Sequence, residues 1–133
     1  MILEKNELHQ LQAFLRQSFT APALRVAQNP KKTDMADVAL GERVIGTVMV
    51  DDEDGDRSFA FEMKVPVDRP ALQEYLQLLF DNSKLKIVSR VKKQDSVELV
   101  NGAEHLGILT IDGPKAKSFT LQMAILDYDL EDL

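Results

Sequence analysis

Two segments of the chain place apolar residues at intervals of three and four, which is the spacing of one helix face. The first segment contributes Leu8, Leu11, Leu15 and Phe19, and the second contributes Leu72, Tyr75, Leu76, Leu79 and Phe80. Asp68 and Pro70 precede the second segment. They suit a helix start, because Asp can cap free amides and Pro loses no hydrogen bond in the first turn. The pattern predicts two amphipathic helices.

Each predicted helix is followed by short stretches in which apolar and polar residues alternate, as in strands with one buried face. The clearest are Phe59 to Val65 and Phe119 to Ile125, which predict Phe59 and Phe119 as core residues. Shorter ones place Leu24 with Val26, Leu85 with Ile87, and Ala36 with Val38 and Leu40 on one face. Asn101–Gly102 predicts a tight hairpin turn, and Gly41–Glu42 takes the equivalent place. The other glycines at strand positions, Gly46 and Gly107, indicate close packing.

The third strand of each group departs from this alternation. Val44 to Val50 and Leu106 to Ile111 are apolar on both faces. A strand with two apolar faces is typical of a position that is covered on both sides. We therefore expect a second layer, either the other half of the chain or another chain, to pack near the third strands.

The two halves are copies of one unit. Sliding the sequence on itself by 61 residues aligns Leu8 to Asp51 without a gap, and after a one-residue change in a turn the offset becomes 60. Fourteen of 52 aligned positions are identical, and the apolar positions also agree in phase. They include Leu11, Gln12, Leu15, Phe19, Leu24, Lys31, Lys32, Asp34, Gly41, Gly46, Asp51, Ser58, Phe59 and Met63 with their partners.

The repeat predicts an α+β protein made of two tandem α-β-β-β-β units, residues 1–66 and 67–133, with antiparallel sheets. A unit of this size buries only about 60% of its unfolded surface and is marginal alone. The connection through Pro66 and Val67 is too short for free rotation. The two units should therefore pack as an intramolecular pseudo-dimer about an approximate two-fold axis, and the chain should be a monomer or a weak homodimer.

Composition limits the partners and the compartment. The net charge of −6 and the pI near 4.9 disfavour nucleic acid, whose binding depends on Lys and Arg neutralising phosphates. The chain has no cysteine, which removes thiol chemistry and makes a zinc site improbable. It has no long apolar run and no signal-like start, so we expect a cytoplasmic protein without a membrane segment.

The residues of the first unit resemble a short alphaproteobacterial family, a domain of unknown function about one repeat long. The resemblance is carried by Leu24, Lys31, Lys32, Asp34, Leu40, Gly41, Ile45, Gly46, the acidic turn from Asp51 to Asp56, Ser58 and Phe59. The ending from Phe119 to Asp127 resembles the C-terminal signature of that family. The departure is that this chain carries the unit twice. The resemblance implies a fold and a cellular setting, but no activity, cofactor or site residue.

Two lysine pairs are the candidate contacts for an anion or an acidic partner. Lys31 with Lys32, and Lys92 with Lys93, occupy the same place in both units, just before the second strand. Together such pairs could hold a phosphate or an acidic peptide. The alternative interpretation, favoured by how common exposed loop lysines are, is a solvated loop.

The acidic turn Asp51 to Asp56 is the densest group of oxygen ligands. Its spacing does not fit a calcium-binding EF-hand, because alignment on Gly55 puts Val50 at the first ligand position and Phe61 at the last. We interpret it as a solvated turn and keep weak divalent-ion binding as the alternative. The acidic tail from Asp127 to Leu133 is interpreted as a frayed end, with docking as a linear peptide as the alternative.

The sequence contains no recognisable catalytic, metal or cofactor site. His9 and His105 do not correspond between the units, and neither stands near a nucleophile or a second histidine at ligand spacing. The pattern therefore favours a non-enzymatic module that binds another protein and needs no cofactor. The alternatives are a secretion-chaperone-like binder of an unfolded effector segment and a single-stranded nucleic-acid binder.

Overall fold

The computed structural model describes residues 2–51, 57–113, 115, 117–131 and 133. In the first unit, these residues form α1 (Lys5–Phe19), β1 (Leu24–Gln28), β2 (Met35–Leu40), β3 (Arg43–Asp51) and β4 (Ser58–Val65). In the second unit, a 3-10 turn (Arg69–Ala71) leads into α2 (Leu72–Leu79), β5 (Leu85–Arg90), β6 (Lys93–Asn101), β7 (Glu104–Ile111) and β8 (Phe119–Leu126). A second 3-10 turn (Asp127–Leu130) follows. The predicted order of one helix and four strands in each unit is confirmed.

The described strands join a single antiparallel sheet in the order β1-β2-β3-β4-β8-β7-β6-β5. The units meet at its centre, where β4 and β8 pair from Ser58 opposite Leu126 to Val65 opposite Phe119. Each residue of β4 is equivalent to the residue 60 positions later in β8, so this register is symmetric about the pair Glu62–Gln122. The predicted α+β pseudo-dimer is confirmed, and its two sheets form one.

The third strands do not bring the units together, so the expectation that the other half of the chain covers them was wrong, whereas cover by another chain stays a prediction. β3 and β7 pair with β4 and β8 inside their own units, and the second face of β3 lies open, with Val44 58% and Met49 38% exposed. The physical reason is that an unpaired strand leaves a row of backbone donors and acceptors without partners. Pairing β4 with β8 satisfies both rows at once, which covering side chains on β3 could not do.

Glycines shape the strands and turns as their positions require. A Cβ atom on Gly46 or Gly107 would lie 2.5 Å from the carbonyl oxygen of the neighbouring central strand, so the predicted close packing is confirmed. Gly41 and Gly102 have φ of 62° and begin the two-residue turns. The Asn101–Gly102 turn was predicted one residue early, since Asn101 is the last residue of β6. Only the first residue of each turn has a positive φ, which glycine adopts without strain, as in type II′ turns.

Both helices contribute to one core on one face of the sheet. The rings of Phe19 and Phe80, equivalent residues at the ends of α1 and α2, stack with centroids 4.2 Å apart and planes at 12°. Phe19 also makes an edge contact with Phe61 of β4 at 6.1 Å. Phe59 and Phe119 are 1% and 4% exposed, as predicted. The aromatic stack joins the two units at the two-fold axis.

The second unit also caps the first helix. The last carbonyls of an α-helix lack partners within the helix. Here the side-chain amide of Asn82 donates to the carbonyl of Phe19 at 3.0 Å, and that of Asn101 donates to the carbonyl of Ser18 at 2.8 Å. The equivalent positions in the first unit are Ala21 and Leu40, which cannot do this. The second unit therefore caps the helix of the first, but the equivalent residues of the first unit cannot cap the helix of the second.

An ion pair fastens the start of α1 to the start of β4. Arg57 donates to both carboxylate oxygens of Glu7, at 2.6 and 2.8 Å, and Glu7 also accepts from the backbone amide of Glu4. Burial raises the pKa of Glu7, but the hydrogen bonds from Arg57 and Glu4 and the positive charge of Arg57 lower it more. The pKa of Glu7 therefore lies below its usual value of 4.5, and the pair persists in mildly acidic solution.

The expectation of a frayed end is wrong for the described residues that directly follow β8. Leu130 is only 2% exposed and belongs to the core, and the side-chain amide of Gln10 on α1 donates to its carbonyl at 3.1 Å. The burial of one apolar residue, together with the short 3-10 turn, holds this segment against α1. The tail thus docks on its own chain.

Replacing Phe19 by Ala should lower the free energy of unfolding by about 3 to 5 kcal/mol, because a fully buried aromatic side chain is lost and a cavity remains. Since Phe19 contacts both units, denaturation followed by circular dichroism should still show one transition. Leu78→Ala, at a position 74% exposed on α2, serves as the control and should change stability little. Two separated transitions in the Phe19 variant would contradict a shared core.

Candidate docking face

The structure does not bring the two lysine pairs together. Lys31 and Lys32 lie in the loop between β1 and β2, whereas Lys92 and Lys93 lie at the turn between β5 and β6. All four side chains are exposed, and β3, β4, β8 and β7 separate the two loops. Each pair could contact an anion only separately, so a joint phosphate or acidic-peptide site does not form.

The two edge strands of the sheet are occupied by helix side chains. The side-chain oxygen of Gln12 accepts from the Val26 amide at 3.0 Å, and that of Gln73 accepts from the Ile87 amide at 3.0 Å. Arg16 donates to the carbonyl of Leu24. The outer edge of β5 is engaged likewise, by Gln77 at the carbonyl of Leu85. Exposed strand edges invite other strands, and these contacts occupy part of each outer edge.

This edge capping explains one identity between the repeats. Gln12 and Gln73 are equivalent helix residues, and sequence reasoning gave them no role. An identical polar residue beside the apolar stripe of both helices was the available signal. The structure shows that each one satisfies a backbone amide of the edge strand next to its helix.

The face of the sheet opposite the helices is open. At the level of the two-fold axis, one row of neighbouring residues crosses the sheet from Ala27 on β1 to Val88 on β5, and we call its six inner members the central row. Its members in order are Asp37, Thr47, Glu62, Gln122, Ile108 and Glu98. It carries three carboxylates and no Lys, Arg or His. The two-fold axis relates Asp37 to Glu98, Thr47 to Ile108 and Glu62 to Gln122.

An apolar row lies on one side of the central row. It consists of Met35, Met49, Ala60 and Ala124, which are in register across β2, β3, β4 and β8. Met49, Ala60 and Ala124 are exposed and Met35 is half-buried. Beyond Ala124, Leu106 and Ile108 of β7 line the same depression as Ala60 and Ala124, with a volume of about 540 Å³. The small alanine side chains form its floor.

The symmetric row on the other side of the axis is polar. It consists of Ser96, Thr110, Thr120 and Lys64, in register across β6, β7, β8 and β4. Every member is the repeat equivalent of an apolar-row residue: Met35 of Ser96, Met49 of Thr110, Ala60 of Thr120, and Ala124 of Lys64. The depression there, which Val44, Ile45 and Lys64 line, is smaller, at about 310 Å³. The two halves of the open face have therefore diverged.

Internal contacts occupy the polar row. Ser118 and Thr120 donate hydrogen bonds to the carboxylate of Asp112, and the ammonium of Lys64 lies 3.2 Å from it. These hydrogen bonds, Ser118 first, and the charge of Lys64 lower the pKa of Asp112. In the apolar row, the positions equivalent to Thr120 and Lys64 hold Ala60 and Ala124, whose side chains cannot make such contacts. A partner would find polar groups already paired on one side and bare apolar groups on the other.

The remaining candidates add no chemistry to this face. His9 lies on α1, away from His105, which is exposed on the open face beside the larger depression. Among the described residues, no group of three or more His, Asp or Glu could hold a metal ion. In the acidic turn, residues 52–56 lie outside the described part of the chain. None of the described helices is long and apolar enough to cross a membrane.

Comparison with protein families gives two consecutive matches to one family, described as proteins of unknown function (DUF3126). The matches cover residues 7–68 and 69–129, which are nearly the whole chain. The chain belongs to this family. It carries the family unit twice, as the internal repeat predicted. Neither the curated proteins nor the solved structures contain a match to it. Membership in DUF3126 brings no assigned activity, so function must be argued from the open face.

Replacing Gln12 by Ala should leave the Val26 amide without its partner and lower the free energy of unfolding by about 1 kcal/mol. The exposed edge of β1 should also promote self-association at high concentration. Urea denaturation and light scattering measure the two effects. Gln17→Ala, at an exposed position on the same helix, is the control. Equal stability and equal scattering in both variants would refute the capping role.

Proposed function

We propose that this DUF3126 protein is a non-enzymatic, cytoplasmic module that binds another protein through the open face of its sheet. The observation that carries the proposal is the apolar row, four neighbouring strands wide and beside a depression of about 540 Å³. Exposed contiguous apolar surface with a polar rim is typical of interaction sites. The helices stiffen the opposite face, so the open face is a preformed surface.

The location of the aromatic residues disfavours the nucleic-acid alternative. Single-stranded nucleic acid is bound by a basic groove with aromatic side chains on which bases stack. The phenylalanines of this chain are buried in the core or pack against it, as does Tyr75, whereas Tyr128, in the 3-10 turn after β8, is 65% exposed. The central row carries carboxylates, whereas binding of phosphates would require basic side chains such as Lys or Arg. Both features favour a protein as the partner.

The edge capping disfavours the chaperone alternative. An unfolded segment gains most of its backbone hydrogen bonds by adding a strand to a free sheet edge. Gln12 and Gln73 each occupy one outer amide, that of Val26 on β1 and that of Ile87 on β5. The open face, in contrast, offers side chains and a shaped depression. A partner that is already folded suits this surface better than an unfolded one.

Substitution of Ala124 by Lys should abolish partner capture, because it puts a charge in the floor of the depression. The matched control is Val91→Lys, which adds the same charge at a position 99% exposed in the β5–β6 turn. Immobilised parent, Ala124→Lys and Val91→Lys proteins are incubated with cell lysate, and bound proteins are quantified by mass spectrometry. The proposal predicts a partner retained by the parent and by Val91→Lys but lost with Ala124→Lys. Equal recovery by all three proteins would refute binding at this face.

A further inference from the structure

We infer that the occupant of the apolar row is an amphipathic helix of a partner protein, with basic residues along one side of its apolar stripe. The inference rests on the proposed docking function and adds the class of ligand. The hydrogen bonding of the sheet indicates a helix, the apolar row indicates its length, and the central row indicates its charge.

The hydrogen bonding of the sheet selects a helix. Along the apolar row, the strands pair with neighbours on both sides, and the outermost edges of the sheet are capped by glutamines. A segment lying on the open face therefore contacts side chains and cannot extend the backbone ladder. An extended segment would leave its own amides and carbonyls without protein partners where it displaces water. A helix satisfies its backbone internally and needs only side-chain contacts from the face.

The dimensions also fit a helix that crosses the strands. Adjacent strands lie about 4.8 Å apart, so the distance from Met35 on β2 to Leu106 on β7 is about 19 Å. A helix of about 13 residues has this length, and its pitch of about 5.4 Å puts roughly one turn over each strand. One large apolar side chain would enter the depression above Ala60 and Ala124, as anchors do at interfaces.

The carboxylates of the central row set the charge of the helix. Asp37 and Glu62 lie two residues along their strands from Met35 and Ala60, which is about 7 Å. Asp37, Glu62 and Glu98 are separated by two and then three strand spacings, or about 10 and 14 Å. Helix residues seven and eleven positions apart lie within about 20° of the same face and are separated by about 10 and 16 Å, close to these two distances. Lys or Arg at such positions would face the carboxylates.

The same carboxylates disfavour a second copy of this chain as the occupant. Two open faces packed together would bring two central rows close to each other, six carboxylates in all, within a chain of net charge −6. Like charges juxtaposed at an interface cost several kcal/mol. A basic partner gains from the charges that repel a second copy.

Two synthetic peptides of about 18 residues, long enough to cross six strands, test the inference. Both carry one leucine stripe, and they differ only in the residues beside it, Lys in one and Glu in the other. Titration into the isotope-labelled parent protein is followed by NMR. We expect the Lys peptide to bind, with shifts concentrated at Met49, Ala60 and Ala124, and the Glu peptide to bind at least about tenfold more weakly. Raising the salt should weaken binding of the Lys peptide.

Variants locate the contact. Ala124→Lys, and separately Met49→Lys, should weaken binding of the Lys peptide by about tenfold or more, because each blocks the apolar row. Val91→Lys should leave binding unchanged. Glu62→Gln should weaken binding by several-fold and reduce its salt dependence, which a purely apolar contact would not show. Comparison of thermal unfolding confirms that each variant is folded.

The contrary results are distinct. Equal binding of both peptides, no binding of either, or binding insensitive to Ala124→Lys and Met49→Lys would overturn the helix. Concentration-dependent dimerisation of the parent that Ala124→Lys abolishes would also overturn it, since the occupant would be a second copy. If capture of a lysate partner requires Ala124 but the Lys peptide does not bind, the docking function is supported and the helical occupant is refuted. If neither partner capture nor peptide binding requires Ala124, both proposals are refuted.

Discussion

The backbone pairing of β4 with β8 is the interaction on which the rest of this structure depends. Eight residue pairs, from Ser58–Leu126 to Val65–Phe119, join two units that would each be marginal alone. Because strand residues alternate between faces, the same pairing aligns the core residues Phe61 and Met123 on one side and the alanines on the other. The stack of Phe19 on Phe80 and the capping of α1 from the second unit follow from it.

Covalent duplication lets the two halves of a symmetric surface differ. At the axis, Glu62 stands opposite Gln122, whereas two identical copies would place the same residue on both sides. Two glutamates there would repel, since like charges directly opposite in a sheet are destabilising. The rows beside the axis have diverged further, into methionine and alanine on one side and serine, threonine and lysine on the other. The open face is therefore asymmetric in its side chains.

The sequence predicts what depends on local pattern, and fails where neighbours decide. The helix stripes, the repeat and the burial of Phe59 and Phe119 follow from periodicity, and all are confirmed. The junction at β4 and β8 was missed because alternation shows which face of a strand is buried but not which strand lies beside it. The apolar faces of the third strand were attributed to a second layer packed over them, but no part of this chain covers Val44 and Met49, which are exposed. The tail was missed because one buried leucine, Leu130, gives no periodic signal.

The candidate docking face could have been predicted only in part. Comparing the repeats position by position shows that Met35, Met49 and Ala60 correspond to Ser96, Thr110 and Thr120. That these residues share one row requires the register across four strands, which no single segment contains. The two lysine pairs are equivalent between the repeats but lie toward opposite edges of the sheet, and their contact with an anion or an acidic partner stays a prediction. Residues related by a two-fold axis come together only near the axis.

Native-state hydrogen exchange of the whole chain tests the central claim, that the β4–β8 pairing makes two units into one cooperative structure. The account predicts that the ladder amides of β4 and β8 are among the slowest to exchange. It also predicts that amides in both units approach the same opening free energy, equal to that of global unfolding. Faster exchange at β4 and β8 than within either unit, with two separate opening free energies, would contradict it.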